Sequence, residues 1–238
     1  MINKITKGFH FRACLFCIFS TFIVEAAYSQ QTNSLQVIHT IQQYNFSVKD
    51  DRNKEMVELK SLIPELVYDL RYATKNNFTG VRLYSQGTKT FMRAEAAKAL
   101  AQVDRELAAK GFGLKIFDAY RPYSVTVKMW HLIKDERYVA DPSKGSGHNR
   151  GIAVDLTIIN RTSGEELPMG TGFDNFSDTA HQNFTSLPAE ILQNRLLLKS
   201  VMEKHGFKAL ETEWWHYYYT SQRNFDVLDI DFKKFRQH

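Results

Sequence analysis

The sequence predicts a single α+β domain, and three observations carry that prediction. Strand-like and helix-like segments mix without regular βαβ spacing, no repeat or low-complexity block interrupts them, and no linker divides the chain. Of the 238 residues, about 209 remain beyond an amino-terminal leader, enough for one well-packed core.

Residues 1–29 read as that leader. Lys4, Lys7 and Arg12 give a basic start, 13–24 an apolar run, and Ala27-Tyr28-Ser29 a small-x-small cleavage site. An uncleaved membrane anchor is the alternative, but the apolar run is interrupted by Ser20 and Thr21 and is short against the ~20 residues a span needs. Both cysteines, Cys14 and Cys17, fall in this segment, so the mature chain has neither disulfides nor thiolate ligands. Residues 30–52 are polar and Gln/Asn-rich and read as an extended or mobile lead-in, with the folded domain over 53–238.

Within the domain, 67–72 alternates apolar and polar side chains as a half-buried strand does, and Asn76-Asn77-Phe78-Thr79-Gly80 follows as a loop. The spacing of Ala96, Leu100, Val103 and Leu107 predicts a helix over 93–110, ended by Gly111. A strand is expected over 114–120, a helix from Pro122 to about Ile133, a turn-rich connection over 141–147 and a strand over 152–158. After a long loop over 160–186, a third helix presents Leu198, Val201, Met202 and His205 and stops at Gly206; the last strand is expected over 213–219.

The formal charge of +5 falls to about +3 without the leader, with basic residues scattered except for Lys233-Lys234-Phe235-Arg236 near the carboxyl end. That balance argues against a nucleic-acid partner, and a cleaved leader leaves no stable membrane contact.

Two blocks carry the chemistry: Ser146-Gly147-His148-Asn149-Arg150-Gly151-Ile152-Ala153-Val154-Asp155 and Glu213-Trp214-Trp215-His216. Two imidazoles and a carboxylate give three zinc ligands and leave a fourth position for water, while a second carboxylate beside them can act as a base, a set that suits hydrolysis. Asp155 sits in an apolar run, where a carboxylate is costly unless paired or bound to metal. His148 and Asp155 would face opposite ways on one strand, so His148 must lie in the turn before it, which Gly147 and Gly151 permit. Taken singly, each is better explained as a surface histidine or a salt-bridged aspartate.

Glu213 and His216 are likewise three apart, and only a bulge or a helical turn brings them together. Trp214 and Trp215 would wall Glu213 and raise its basicity; the alternative is an aromatic cluster with solvated Glu and His. Arg121, between Asp118-Ala119-Tyr120 and Pro122, stands at a strand-to-helix junction, from which a guanidinium can face a cleft and stabilise an oxyanion. Pairing with Asp118 is its alternative role. His39, His131, His181 and His205 read as structural or exposed.

Together these blocks resemble the D-Ala-D-Ala dipeptidases of the VanX type, within the zinc D,D-peptidases. The shared residues are Ser146-x-His148-x-x-Gly151-x-Ala153-x-Asp155, Glu213-Trp214-Trp215-His216, Tyr72-Ala73-Thr74 with Asn77-Phe78-Thr79-Gly80, Asp118-x-Tyr120-Arg121-Pro122, and Met169-Gly170-Thr171-x-Phe173-Asp174. The resemblance implies the hedgehog/D,D-peptidase fold, with a central antiparallel sheet flanked by helices. It implies one zinc held by His148, Asp155 and His216, Glu213 as general base, Arg121 stabilising the transition state, and Tyr72, Ser146 and Asp174 lining a pocket for a small D,D-dipeptide.

Two rivals stand beside it. A D,D-carboxypeptidase or endopeptidase trimming peptidoglycan stems would use the same machinery with a different pocket depth. A zinc-binding module without catalysis would not need Glu213 and Arg121. The leader implies an exported bacterial protein, periplasmic or secreted, that meets D-Ala-D-Ala as a wall fragment or nutrient, in wall turnover or D-alanine salvage.

Overall fold

The computed structural model describes residues 35–235 apart from Gln86, so the leader expected over 1–29 lies outside the described residues. The described chain begins with β1 (Val37–Ile38) and α1 (Ile41–Val48). Over the described part of the lead-in expected at 30–52, this helix replaces a mobile segment with ordered structure. Thr40 and Gln43 form a capping box that starts it, Tyr44 and Val48 are buried, and the Tyr44 hydroxyl accepts from the Met56 amide at 2.6 Å. Its polar composition hides it, since few side chains anchor so short a helix.

A strand β2 (Met56–Glu58) leads into one turn of helix, α2 (Leu59–Leu62), and then into β3 (Val67–Tyr68). The strand expected over 67–72 is therefore only its first two residues; the chain turns into a 3₁₀ segment at Arg71–Ala73 that buries Tyr72. Next come β4 (Phe91–Arg93), antiparallel to β2, and α3 (Ala94–Ala108), whose Ala96, Leu100, Val103 and Leu107 are buried as the periodicity predicts. The rest of the domain is β5 (Phe112–Asp118), α4 (Tyr123–Leu132), α5 (Gly147–Arg150), β6 (Ala153–Asn160), α6 (Ala189–Lys204), β7 (Phe207–Ala209), β8 (His216–Tyr219) and β9 (Val227–Leu228), which pairs with β1. The strand expected over 213–219 begins only at His216, because Glu213, Trp214 and Trp215 form a turn, and β7 has no counterpart in the sequence reading.

The central sheet runs β3-β5-β6-β8-β7. Its pairs are antiparallel except for β3 with β5, so the expected antiparallel sheet carries one parallel edge. On β6, Val154, Leu156 and Ile158 enter a core shared with α3 and α6, which makes the opposite face the one that carries Asp155. Leu114 and Ile116 of β5 enter the same core. The register then shifts: Ile116 pairs with Leu156, but Asp118 pairs with Asp155. One extra residue on β5 thus moves Asp118 from the core face to the Asp155 face. Among the described residues no helix is long and apolar enough to cross a membrane.

Candidate metal centre and catalytic cleft

The register aligns Asp118 of β5, Asp155 of β6 and His216 of β8 in one row across three neighbouring strands. His148 reaches this row from outside the sheet. Ser146 caps α5, its hydroxyl accepting from the Asn149 amide at 3.1 Å, while the Asn149 side chain accepts from the Ser146 amide at 3.0 Å. One turn later Gly151 adopts φ +72°, which sends the chain straight into β6 and leaves His148 over Asp155. A side chain at Gly151 would put its Cβ 2.7 Å from the Met56 sulfur, so close packing adds to the backbone requirement.

The result is three acceptors facing one point. His148 Nδ1 lies 2.6 Å from the Ala119 carbonyl, an acceptor only, so that nitrogen carries the proton and Nε2 presents a lone pair. His148 Nε2 is 3.2 Å from His216 Nδ1 and 3.4 Å from Asp155 Oδ2, and His216 Nδ1 is 2.9 Å from Asp155 Oδ1. All three donor atoms fall within 4.8 Å of one another. Burial pushes the Asp155 carboxyl up, but the two imidazoles outweigh it and hold Asp155 below the usual carboxylate range. Burial also holds His216 below its ordinary value, which favours the neutral, ligating imidazole. Two neutral imidazole nitrogens and a carboxylate with no thiolate suit zinc.

Glu213 stands beside this group, its Oε2 3.9 Å from His216 Nδ1, and is 6 % exposed. The turn foreseen as one way to join Glu213 and His216 is present, with the His216 amide donating to the Glu213 carbonyl at 3.3 Å. Burial, with the Asp155 and Asp174 carboxylates as neighbours, pushes Glu213 well above the usual carboxylate range. Trp214 and Trp215 are both buried; Trp215 lines the cleft, while the Trp214 indole donates to Thr171 at 2.8 Å.

Arg121 pairs with Asp118 and faces the cleft at the same time. Its Nε and Nη2 reach Asp118 Oδ2 at 3.0 and 2.9 Å, and its Nη2 lies 3.9 Å from Asp155 Oδ2. The guanidinium also sits over the Tyr72 ring at 5.2 Å and lines the cleft. Asp118 is fully buried and takes a second bond from the Tyr84 hydroxyl at 2.9 Å, so it is a fixed counter-charge that aims the guanidinium. Tyr84 and the Ala119 carbonyl escape a sequence reading: a buried tyrosine and a backbone oxygen leave no pattern.

The cleft has a volume of about 280 Å³ and is lined by all eight residues named from the sequence: Tyr72, Arg121, Ser146, His148, Asp155, Asp174, Glu213 and His216. Asp174 has φ +60°, a strained backbone for a non-glycine residue. Its Oδ1 accepts from the Tyr72 hydroxyl at 3.0 Å, while its Oδ2 is buried with no partner. Burial, with Asp155 nearby, pushes Asp174 up to about 7 against the bond from Tyr72. Outside the cleft, His205 pairs with Glu106 at 2.8 Å and His39 lies 3.5 Å from Asp229.

Comparison with known proteins gives the family. Residues 52–237 match the peptidase M15 family model, described as D-ala-D-ala dipeptidase. A D-alanyl-D-alanine dipeptidase of Escherichia coli K12 is 35 % identical over 181 residues, covering 76 % of this chain and 93 % of that protein. One from Enterococcus faecium is 33 % identical over 178 residues, covering 67 % and 88 %. Among solved structures, the vancomycin resistance D,D-pentapeptidase VanY with Zn(II) aligns over 59 % of this chain and 79 % of its own at 17 % identity and a TM-score of 0.36, a likeness too loose to add to the sequence match. With the family model spanning nearly the whole described domain and relatives this similar, the chain belongs to the D-Ala-D-Ala dipeptidase family of peptidases.

Proposed function

We propose that this protein hydrolyses the peptide bond of free D-Ala-D-Ala, using one zinc ion held by His148, Asp155 and His216. The observation that carries this reading is the shared cleft: the metal donors, a buried carboxylate and a buried guanidinium face a space of about 280 Å³, on the scale of a dipeptide, beside a carboxylate oxygen with no partner. An ion in that donor set would supply the Lewis acidity that activates water and polarises a scissile carbonyl.

The chain's own residues do the rest. Glu213 accepts the proton of the attacking water and returns it to the departing amine, so one carboxylate serves twice. Arg121, held by Asp118, donates to the oxyanion as it develops. Asp174 Oδ2 accepts from the substrate ammonium, with Tyr72 fixing the carboxylate, and Ser146 offers its hydroxyl proton to the substrate while its oxygen caps α5. The leader-like segment 1–29 supports export, and thus a place in wall turnover or D-alanine salvage; fractionation of the producing cell tests it, and a full-length cytoplasmic protein would refute export.

The test of activity is amine release from D-Ala-D-Ala, L-Ala-L-Ala and a stem pentapeptide ending in D-Ala-D-Ala, with zinc-loaded protein lacking residues 1–29. Cleavage of the D,D-dipeptide alone is expected. Preferential cleavage of the pentapeptide would make it a carboxypeptidase, and no cleavage with zinc bound would make it a binding module.

A further inference from the structure

Four aromatic rings form a continuous chain along one side of the cleft, and they come from three separate loops. Tyr72, in the 3₁₀ turn after β3, meets Phe78 edge-on with centroids 6.1 Å apart. Phe78 meets Phe176 at 5.4 Å, and Phe176 lies against Tyr138, from the connection between α4 and α5, at 4.6 Å. Tyr72, Phe78 and Tyr138 line the cleft; Phe176 does not, and stands behind them as the ring that joins the last two.

The chain of rings starts at the amino-binding carboxylate. Tyr72 is hydrogen-bonded to Asp174, and Phe176 follows Asp174 by two residues. Beyond this point lies a second cleft of about 220 Å³, lined by Arg71, Lys75, Asn76 and Asn77. Phe78 and Asp174 line both spaces and so form the wall between them.

Building on the dipeptidase reading above, we propose that the Tyr72–Phe78–Phe176–Tyr138 chain is the specificity gate that excludes substrates prolonged at their amino end, with Phe176 as the positioning residue that holds it shut. A free dipeptide ends at Asp174 and needs no passage further. A longer peptide that continues past Asp174 meets this wall, and it reaches the second cleft only if Phe78, which Phe176 and, behind it, Tyr138 brace, swings aside. Edge-to-face and tilted ring contacts are geometry-specific, so the three loops hold one another in place through these rings. Removing the Phe176 ring frees Phe78 and Tyr138 from each other without touching the metal donors, Glu213, Arg121 or Asp174. Amino-end selection is then separable from turnover.

The experiment compares zinc-loaded wild type, Phe176→Ala, Phe176→Tyr and Tyr138→Ala on D-Ala-D-Ala and on L-Lys-D-Ala-D-Ala. Wild type is expected to prefer the dipeptide strongly. In Phe176→Ala the ratio of tripeptide to dipeptide kcat/KM should rise by about tenfold or more, with dipeptide kcat within about threefold of wild type. Phe176→Tyr should restore the wild-type ratio. Loss of a merely structural ring would lower both substrates together and leave the ratio unchanged; that result in folded, zinc-binding Phe176→Ala and Tyr138→Ala overturns the gate. Should Phe176→Ala fail to fold, Tyr138→Ala, from a different loop, decides by the same ratio. A wild type that cleaves the tripeptide as readily as the dipeptide overturns the gate while leaving the hydrolytic reading intact. A wild type inert on both overturns that reading, and the gate with it, before any variant is measured.

Discussion

Glu213 and Asp174 are carboxylates buried in the same cleft, and their neighbours suit them to the different tasks proposed for them. Glu213 adjoins His216 of the metal donor set, where a proton can be taken from water, whereas Asp174 leans on the Tyr72 hydroxyl and leaves one oxygen bare. Glu213→Gln should keep zinc stoichiometry by elemental analysis while kcat falls by about 10²–10⁴; normal turnover would remove its role as base. Asp174 gives a pH signature. Its folded pKa of about 7 lies above the 3.8 of the free side chain, so its contribution favours the fold below about 3.8 and is lost as pH rises to 7, where a buried carboxylate has been ionised. Metal-free Asp174→Asn should therefore melt higher than wild type at pH 8, by about 1–2 kcal/mol of stability, and the gap should close by pH 4. The same variant should raise KM for the dipeptide, because the ammonium loses its counter-charge. A stabilised variant with unchanged KM would leave Asp174 without a binding role.

At the scale of elements, the cleft depends on two interruptions of regular structure: the extra residue on β5 before Asp118 and the left-handed Gly151 between α5 and β6. Gly151→Ala meets both a backbone penalty and a contact with Met56, so a loss of about 1–3 kcal/mol is expected, read as a lower Tm. Zinc affinity should weaken with it, since His148 hangs on that turn. These interruptions also show where the sequence is legible. The amphipathic stripe of α3 and the apolar run of β6 announce themselves, because burial of one face imposes a period. His148, Asp155, Glu213 and His216 stand out as polar residues beside glycines, in an apolar run or beside tryptophans. The bulge does not, since one added residue in a strand leaves no periodic trace. Nor does α1, whose stability comes from its capping box and from Tyr44 packed under β2 rather than from an apolar stripe. Tyr72 was legible as a residue but not as a 3₁₀ turn, because tertiary packing overrides the alternation of 67–72.

Over the whole molecule, the metal donors tie α5, β6 and β8 together, elements whose ligating residues lie up to sixty-eight positions apart. A ligand that binds only the folded arrangement stabilises it by mass action, about 2.7 kcal/mol at a free concentration one hundred times its Kd. Chelation should thus lower the Tm and added zinc should restore it; an unchanged melting curve would mean that the donors hold no ion. The row of Asp118, Asp155 and His216 across the sheet has one more consequence. Slipping any of these strands by a single residue would turn its functional side chain into the apolar interior and bring a core residue out in its place. Only one alignment of β6 with β8 presents Asp155 and His216 together beside His148, so metal uptake would proofread that pairing: a chain misaligned there gains nothing from zinc, and the correctly paired one is captured by it.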